Sequence, residues 1–282
     1  MRILITGSGG QLGHELVAAF TPDDVTAADH DSLDVTDRNA ILDVVTTVRP
    51  DVVVHAAAWT AVDACESDPE RAFAVNALGT RYVAEAAQRV GARVVYLSTD
   101  YVFDGAKETA YVEWDEPNPQ SVYGRSKLAG ERELSGHPDA IIVRLSWVFG
   151  YHGSNMVKTV LRLAQQRGEL AFVADQRGQP TFAEDAAPLI RRLAVERRTG
   201  VFHVTNQGAV SWYDFARCVL ASAGDDPGRI RAITTADLDP PRAAPRPANS
   251  VLDNLALRLA GLPLLPDFRS SLDGLVARLL HS

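Results

Sequence analysis

Cysteine is scarce in this chain. Cys65 and Cys218 stand far apart, with neither a Cys-x-x-Cys spacing nor a histidine-cysteine cluster around them. That argues against a disulfide scaffold and against a zinc site, and leaves both as buried or half-buried small hydrophobes. Long apolar runs are lacking too: none approaches the roughly 18–20 residues of a membrane span. The opening Met1-Arg-Ile-Leu-Ile-Thr-Gly7 is too short for a signal-peptide core and runs into a glycine loop, so a soluble, cytoplasmic protein is expected. Basic charge is in deficit, with 28 Lys and Arg against 36 Asp and Glu and a net charge of −8. Nonspecific nucleic-acid binding needs the opposite balance. There is no internal repeat and no low-complexity tract. The chain does have 282 residues and 46% hydrophobic side chains, enough for one large domain or a large and a small lobe.

The apolar segments alternate between two types. Short continuous runs read as strands: Ile3 to Ile5, Val25 to Ala28, Asp51 to His55, Val94 to Leu97 and Ala140 to Leu145. Between them lie helical stretches at about 11–20, from Asp37 to before Pro50, at about 69–90 with Gly91 as stop, and from Tyr123 to about Leu134. Continuous apolar strands alternating with helices make a parallel sheet covered on both faces. Residues 1–150 are therefore expected to form a doubly wound, Rossmann-type α/β domain. Residues 151–282 form mainly a smaller C-terminal α/β lobe that binds substrate, with segments returning to the first domain. That second half carries helices near 155–167, 184–197, 211–223 and 270–280. It also holds a Pro/Arg-rich stretch, Asp239-Pro-Pro-Arg-Ala-Ala-Pro-Arg-Pro247. The stretch reads equally as a surface loop or as a flap that sets Arg242 or Arg246 near a phosphate.

Ligands in such sheets sit at the carboxyl ends of the strands. Gly7, Asp29, Ala56 to Ala58, Ser98 to Asp100 and Ser146-Trp147 all fall there. Gly7-x-x-Gly10-x-x-Gly13 after the first strand lets backbone approach a pyrophosphate at a helix N-terminus. The spacing differs from Gly-x-Gly-x-x-Gly. Asp29 closes the second strand, where a carboxylate accepts from ribose hydroxyls and repels a 2′-phosphate, a mild preference for NADH. Asp34-Val35 brackets an adenine, and Ala56-Ala57-Ala58 is small enough for a cofactor to lie on backbone. Tyr123-Gly-Arg-Ser-Lys127 places a phenol and an ammonium on one helix face. The ammonium is expected to lower the phenol pKa toward neutrality, for proton transfer at a carbonyl or alcohol.

Further segments extend the pattern: Ala56-Ala-Ala-Trp-Thr-Ala-Val-Asp63, Ser98-Thr-Asp-Tyr-Val-Phe-Asp-Gly105, Val122-Tyr-Gly-Arg-Ser-Lys-Leu-Ala-Gly-Glu131, Ser146-Trp-Val-Phe149, Gly178-Gln-Pro-Thr181 and Arg246-Pro-Ala-Asn-Ser250. With the glycine loop they resemble, over nearly the whole chain, the dTDP-4-dehydrorhamnose reductases, a family of extended short-chain dehydrogenases/reductases. The resemblance implies reduction of the C4 keto group of dTDP-4-dehydro-β-L-rhamnose to dTDP-β-L-rhamnose by NADPH or NADH, within dTDP-rhamnose biosynthesis. It implies Thr99, Tyr123 and Lys127 as the catalytic set, with Tyr123 as proton donor. It further implies cofactor contacts from Gly7, Gly10, Gln11, Leu12, Asp29, Asp34, Val35, Ala56, Ala58, Trp59, Thr60, Tyr123 and Lys127, and substrate contacts from Thr99, Asp100 and Trp147. The chain departs from the family at His55 and Trp59, where asparagine and histidine or tyrosine are frequent. Some members bind Mg2+ through glutamates at a dimer interface, one matching Glu15, but no metal is assigned. The expected partner is a dTDP-sugar, not nucleic acid or membrane, and the expected state is monomer or homodimer.

Two rival readings stay open. Another nucleotide-sugar 4-ketoreductase, an epimerase or a dehydratase shares the fold and the Tyr/Lys pair, although Tyr101 follows Thr99-Asp100 where dehydratases usually carry a glutamate base. A non-catalytic NAD(P)-binding regulatory subunit, such as that of methionine adenosyltransferase, is also similar in sequence pattern.

Overall fold

The structure is a computed structural model that describes residues 1–281. Strands β1 (Arg2–Thr6), β2 (Asp24–Ala28), β3 (Val52–His55), β4 (Arg93–Thr99) and β5 (Ala140–Leu145) pair in parallel. The short strands β6 (Val148–Phe149), β7 (Leu170–Val173), β8 (Arg177–Gly178) and β9 (Thr181–Phe182) follow. Then β10 (Gly200–His203) returns to pair with β5, before β11 (Val210–Ser211) and β12 (Ile230–Ile233). The main sheet has six strands in the order β10-β5-β4-β3-β1-β2. The strand order reverses between β1 and β3, which opens a crevice at their carboxyl ends.

Helices α1 (Gln11–Ala19), α2 (Arg38–Val48), α3 (Val62–Ser67), α4 (Pro69–Phe73), α5 (Gly79–Val90) and α6 (Val122–Glu133) belong to the first half. The second half supplies α7 (Met156–Gln166), α8 (Ala183–Val195), α9 (Trp212–Ser222), α10 (Leu255–Leu259) and α11 (Phe268–Leu280). Successive strand residues point to opposite faces. Ile3 and Ile5 pack with Leu16 of α1 and Ile190 of α8, while Leu4 packs with Ile41 of α2 and Val83 of α5. Both faces are covered, so β3 and β4 are buried at every position, which is why they read as unbroken apolar runs. Each edge of α2 has a local cause: the Asp37 carboxylate accepts from the Asn39 and Ala40 amides, and Arg49 ends the helix in the left-handed region before Pro50.

Two boundaries differ from expectation. The helix expected at 69–90 is interrupted by a π-helical turn, Ala74–Leu78, between α4 and α5. Asn76 lies in that turn and spends its side chain on the Trp59 backbone, accepting from its N–H at 2.8 Å and donating to its carbonyl at 3.1 Å. Strand β4 runs on to Thr99, because β5 continues to pair with it through Ser98 and Thr99. A separate core forms around Val160, Phe215 and Phe268 of the second half, joined by Phe149 at the end of the first. Cys65 is buried, Cys218 half-buried, and both are free thiols.

Candidate active site

Two cavities meet along the carboxyl edge of the sheet. The first, about 490 Å³, is lined by Gly7, Gly10, Asp29, Asp34, Val35, Ala56, Ala58 and Trp59 among others. The second, about 440 Å³, is lined by Gln11, Leu12, Thr60, Thr99, Asp100, Tyr123, Lys127 and Trp147, and it shares Gly7, Gly10, Ala56 and Ala58 with the first. The two are one groove, and every residue of the expected catalytic, cofactor and substrate sets lines it, whereas Glu15, His55, Arg242 and Arg246 do not.

The glycines have different jobs. Gly7 adopts φ +70°, and a side chain there would come within 2.5 Å of the Ala57 backbone. A Cβ at Gly13 would sit 2.2 Å from the Gly7 carbonyl oxygen. Both are glycine so that α1 can pack against the β1 and β3 ends. Gly10 differs: its Cβ would meet only the Gly7 carbonyl, at 3.3 Å, so its bare surface faces the groove. Gly10 caps α1, whose first turn carries no acidic side chain to compete for the exposed N–H groups. The Gln11 side chain is engaged elsewhere, donating to Ser154 O and accepting from Asn155 Nδ2, so what it offers the groove is backbone. The Asp29 carboxylate accepts from the Ser32 hydroxyl and amide, which orients it and lowers its pKa. Asp34 is fixed the same way by Thr36.

The second cavity is built from buried polar side chains. Helix α6 starts where Ser121 caps the Gly124 amide, and Gly124 packs against the Tyr101 carbonyl too closely for any side chain. Tyr123, Lys127 and Thr99 are all buried. The expected effect of Lys127 on Tyr123 is not what the structure has. Burial raises the Tyr123 pKa well above that of a free phenol, against an opposing pull from the Thr99 hydroxyl, and the Asp100 and Tyr101 charges push it further up. Lys127 does not offset this, because its ammonium lies over the Tyr96 ring, 4.1 Å from the centroid. Burial instead drives Lys127 down to about 7, opposed by Glu131. Among the described residues no acceptor hydrogen-bonds this ammonium.

Sequence reasoning missed the network beneath. Glu131, one turn beyond Lys127, accepts from Arg144 Nε and Nη2 at 2.9 and 2.7 Å and from the Ser98 hydroxyl at 2.5 Å. Asp100 accepts from the Thr99 and Ser146 hydroxyls, yet burial lifts it to about 6. His55 shares a 2.7 Å hydrogen bond with Thr6 and is pushed down to about 3 by burial, with Lys127 adding to the effect. The Pro/Arg stretch packs against Asp63 and Tyr101, beside the site. Arg246 donates to both Asp63 oxygens at 2.7 and 2.6 Å, holding that carboxyl down to about 2, and its guanidinium lies beside the Tyr101 phenol. Tyr101 in turn meets Tyr123 edge-on at 5.7 Å. Trp147 stacks on Trp212, another residue the sequence did not flag. A signal was available only for Glu131, which continues the four-residue spacing of Tyr123 and Lys127.

Comparison with known proteins agrees with this geometry. The profile of the family described as RmlD substrate binding domain matches residues 1–281. The chain is 42% identical over 267 residues to a dTDP-4-dehydrorhamnose reductase of Aggregatibacter actinomycetemcomitans, covering 89% of this chain and 90% of that one. It is 44% identical over 281 residues to a probable dTDP-4,6-dihydroxy-2-methyloxan-3-one 4-ketoreductase of Streptomyces antibioticus, covering 96% and 93%. A crystal structure of dTDP-4-dehydrorhamnose reductase from Bacillus anthracis in complex with NADP superimposes with a TM-score of 0.94 at 38% identity, covering 98% of this chain and 99% of that one. With a profile match and relatives of this identity spanning nearly its whole length, the chain belongs to the RmlD substrate binding domain family.

Proposed function

We propose that this chain reduces the C4 keto group of dTDP-4-dehydro-β-L-rhamnose to dTDP-β-L-rhamnose, using NADPH or NADH. The observation that carries the reading is the convergence of Thr99, Tyr123 and Lys127 in one buried cavity that opens into the glycine-lined groove. Residues 1–150 with the returning β10 supply the dinucleotide side, and residues 151–282 most of the substrate side. Among the described residues no helix is long and apolar enough to cross a membrane, in keeping with a cytoplasmic enzyme acting on a water-soluble nucleotide sugar.

The residues present fit a dinucleotide. The open face of Gly10 and the free N–H groups of α1 suit a diphosphate. Asp29 is pre-oriented for ribose hydroxyls, Asp34 and Val35 flank the adenine end, and Ala56, Ala58, Trp59 and Thr60 line the floor. Lys127 presents a buried ammonium that finds no acceptor among the described residues, which suits the second ribose. When bound, a reduced nicotinamide supplies hydride to the sugar carbonyl. The protein's part is to stabilise the charge that grows on the carbonyl oxygen. Tyr123, kept protonated by burial, donates its proton there, and Thr99 offers a second hydroxyl to the same oxygen. A high phenol pKa serves reduction well, since the acid must still hold its proton when the alkoxide forms.

A second reading is favoured by the Streptomyces antibioticus relative: reduction of the C4 ketone of a different dTDP-deoxysugar. The test is oxidation of NADPH and of NADH by the purified protein with dTDP-4-dehydrorhamnose made in situ. Substrate-dependent oxidation yielding dTDP-rhamnose is expected. Absence of turnover despite measurable dinucleotide binding would overturn the rhamnose reading and turn the assay to other dTDP-4-keto sugars.

A further inference from the structure

We infer that Trp212 is a specificity-determining residue, forming with Trp147 an aromatic wall that selects a sugar with an apolar C6 methyl group over its 6-hydroxy counterpart; this rests on the reductase reading above. Trp147 follows β5, and Trp212 opens α9 in the second half, so the wall joins the two halves of the molecule. Their indoles stack with centroids 3.6 Å apart and planes 10° from parallel. Both line the cavity that holds Thr99, Tyr123 and Lys127.

The placement is enforced from several sides. Trp147 has φ +43°, a left-handed backbone that a bulky residue rarely adopts. Such conformations persist where the surroundings over-determine them, and they gather at ligand sites. Here the Trp147 carbonyl accepts from the Thr181 amide at 3.0 Å. Gly178 has no side chain, and a Cβ there would come within 2.5 Å of the indole. Strand β8, which carries Gly178, pairs with β11 immediately before Trp212. Phe149 and Phe215 then meet the Trp212 ring edge-on at 6.4 and 6.1 Å. The wall is therefore rigid, and it does not adjust to an extra polar group.

The chemistry of the cavity is divided. Thr99, Asp100 and Tyr123 give it a polar side that meets the carbonyl and its neighbouring hydroxyls. The indole pair gives it an aromatic side, suited to the C–H surface and methyl group of a 6-deoxy sugar. A hydroxyl at C6 laid against indole carbon would lose its water without gaining a partner. A hydrophobic surface of this kind discriminates by a modest factor, about ten- to a hundredfold.

The experiment compares wild type with Trp212→Ala and Trp212→Phe. Two dead-end ligands that differ only at C6, dTDP-6-deoxyglucose and dTDP-glucose, are tested as inhibitors of turnover. Wild type is expected to bind the deoxy ligand about tenfold more tightly, and Trp212→Ala to lose most of that ratio. Trp212→Phe, which keeps a ring, should retain an intermediate ratio and rescue KM, while dinucleotide Kd stays at the wild-type value in both variants. A discrimination ratio unchanged in Trp212→Ala overturns the inference. If that variant does not fold, an unchanged ratio and KM in Trp212→Phe does the same. Failure of the reductase reading looks different, because wild type itself would then show no turnover, and the inference would fall with it.

Discussion

The two halves of the groove are built on different principles. The half around Asp29 and Asp34 is made of backbone and of exposed carboxylates, each oriented by a hydroxyl two or three residues along the chain. The half around Tyr123 is made mostly of buried side chains contributed by β4, β5 and α6, with half-buried Trp212 from the start of α9. Local hydrogen bonds are what orient the carboxylates of the first half. Long-range construction makes the second half costly to fold, and it shifts Lys127, Asp100 and His55 far from their ordinary pKa values. Perturbed groups of this kind are where function concentrates.

The sharpest way to separate the halves is Tyr123→Phe. It removes the proton donor and leaves the ring that packs against Tyr101 and Cys65. Turnover is expected to fall about 10²–10⁴-fold, with dinucleotide Kd nearly unchanged by fluorescence titration. Retention of wild-type turnover would remove Tyr123 from its role. Lys127→Met comes next. Its ammonium is buried and no carboxylate among the described residues is bonded to it, so the charge is a cost to the folded protein. The folded pKa is about 7 against an ordinary 10.5. The unfolded chain therefore holds the extra proton between those values, and the penalty is fully present below pH 7 and fades as pH rises from 7 toward 10.5. The ligand-free Lys127→Met variant should melt higher than wild type at pH 6, by an amount that shrinks at pH 9, while activity drops about a hundredfold. Dinucleotide affinity of the wild type should weaken as pH rises through about 7, and that dependence should vanish in the variant. A lower melting temperature at pH 6 would show that packing, not charge, dominates at this site.

The same contrast explains what was legible in the sequence. The parallel sheet, its strand positions and the glycine loop could be read because each is a contiguous pattern with its own period or spacing. Tyr123 and Lys127 could be read because they share a helix. The Asp63–Arg246 pair, the Trp147–Trp212 stack and the Glu131–Arg144 bridge could not, since each joins segments whose proximity only the topology creates. The Tyr123 pKa went the wrong way for a related reason. Helical spacing put phenol and ammonium on one face, but Tyr96, from β4, draws the ammonium aside, and no helix-based argument contains β4. The π turn escaped because the groups that Asn76 bonds from it, the Trp59 backbone and the Ser126 hydroxyl, lie outside the helix it interrupts.

The glycines sharpen the comparison within the first half. In Gly13→Ala the new methyl group would lie 2.2 Å from the Gly7 carbonyl oxygen, so α1 must move off the sheet. Overpacking of this kind costs about 1–3 kcal/mol, and dinucleotide binding should be lost with it. Gly10→Ala meets only a 3.3 Å contact. It should keep the wild-type melting temperature and weaken the dinucleotide alone. Equal losses of stability in the two variants would mean that the loop acts as one rigid unit, and not as two packing positions around one ligand-facing position.

Asp29→Asn is the smallest change and the one that tests the exposed half on its own terms. The carboxylate is exposed, and Ser32 holds its pKa below the ordinary value, so it stays charged across the working pH range. A charge at the closing edge of β2 repels a 2′-phosphate. The same cavity wall, however, also carries His30 and Arg71, and the Bacillus anthracis relative was crystallised with NADP. Solvent screens all three groups, so the balance among them is shallow. Removing the negative charge while keeping the shape should move the NADPH-to-NADH ratio of kcat/KM toward NADPH by about two- to fivefold. The shift should shrink as ionic strength rises, because a Debye length near 10 Å at 0.1 M salt covers this site. A ratio that does not move, or that moves equally at high and low salt, would mean that cofactor choice is set by hydrogen-bond geometry at the ribose and not by the charge on Asp29.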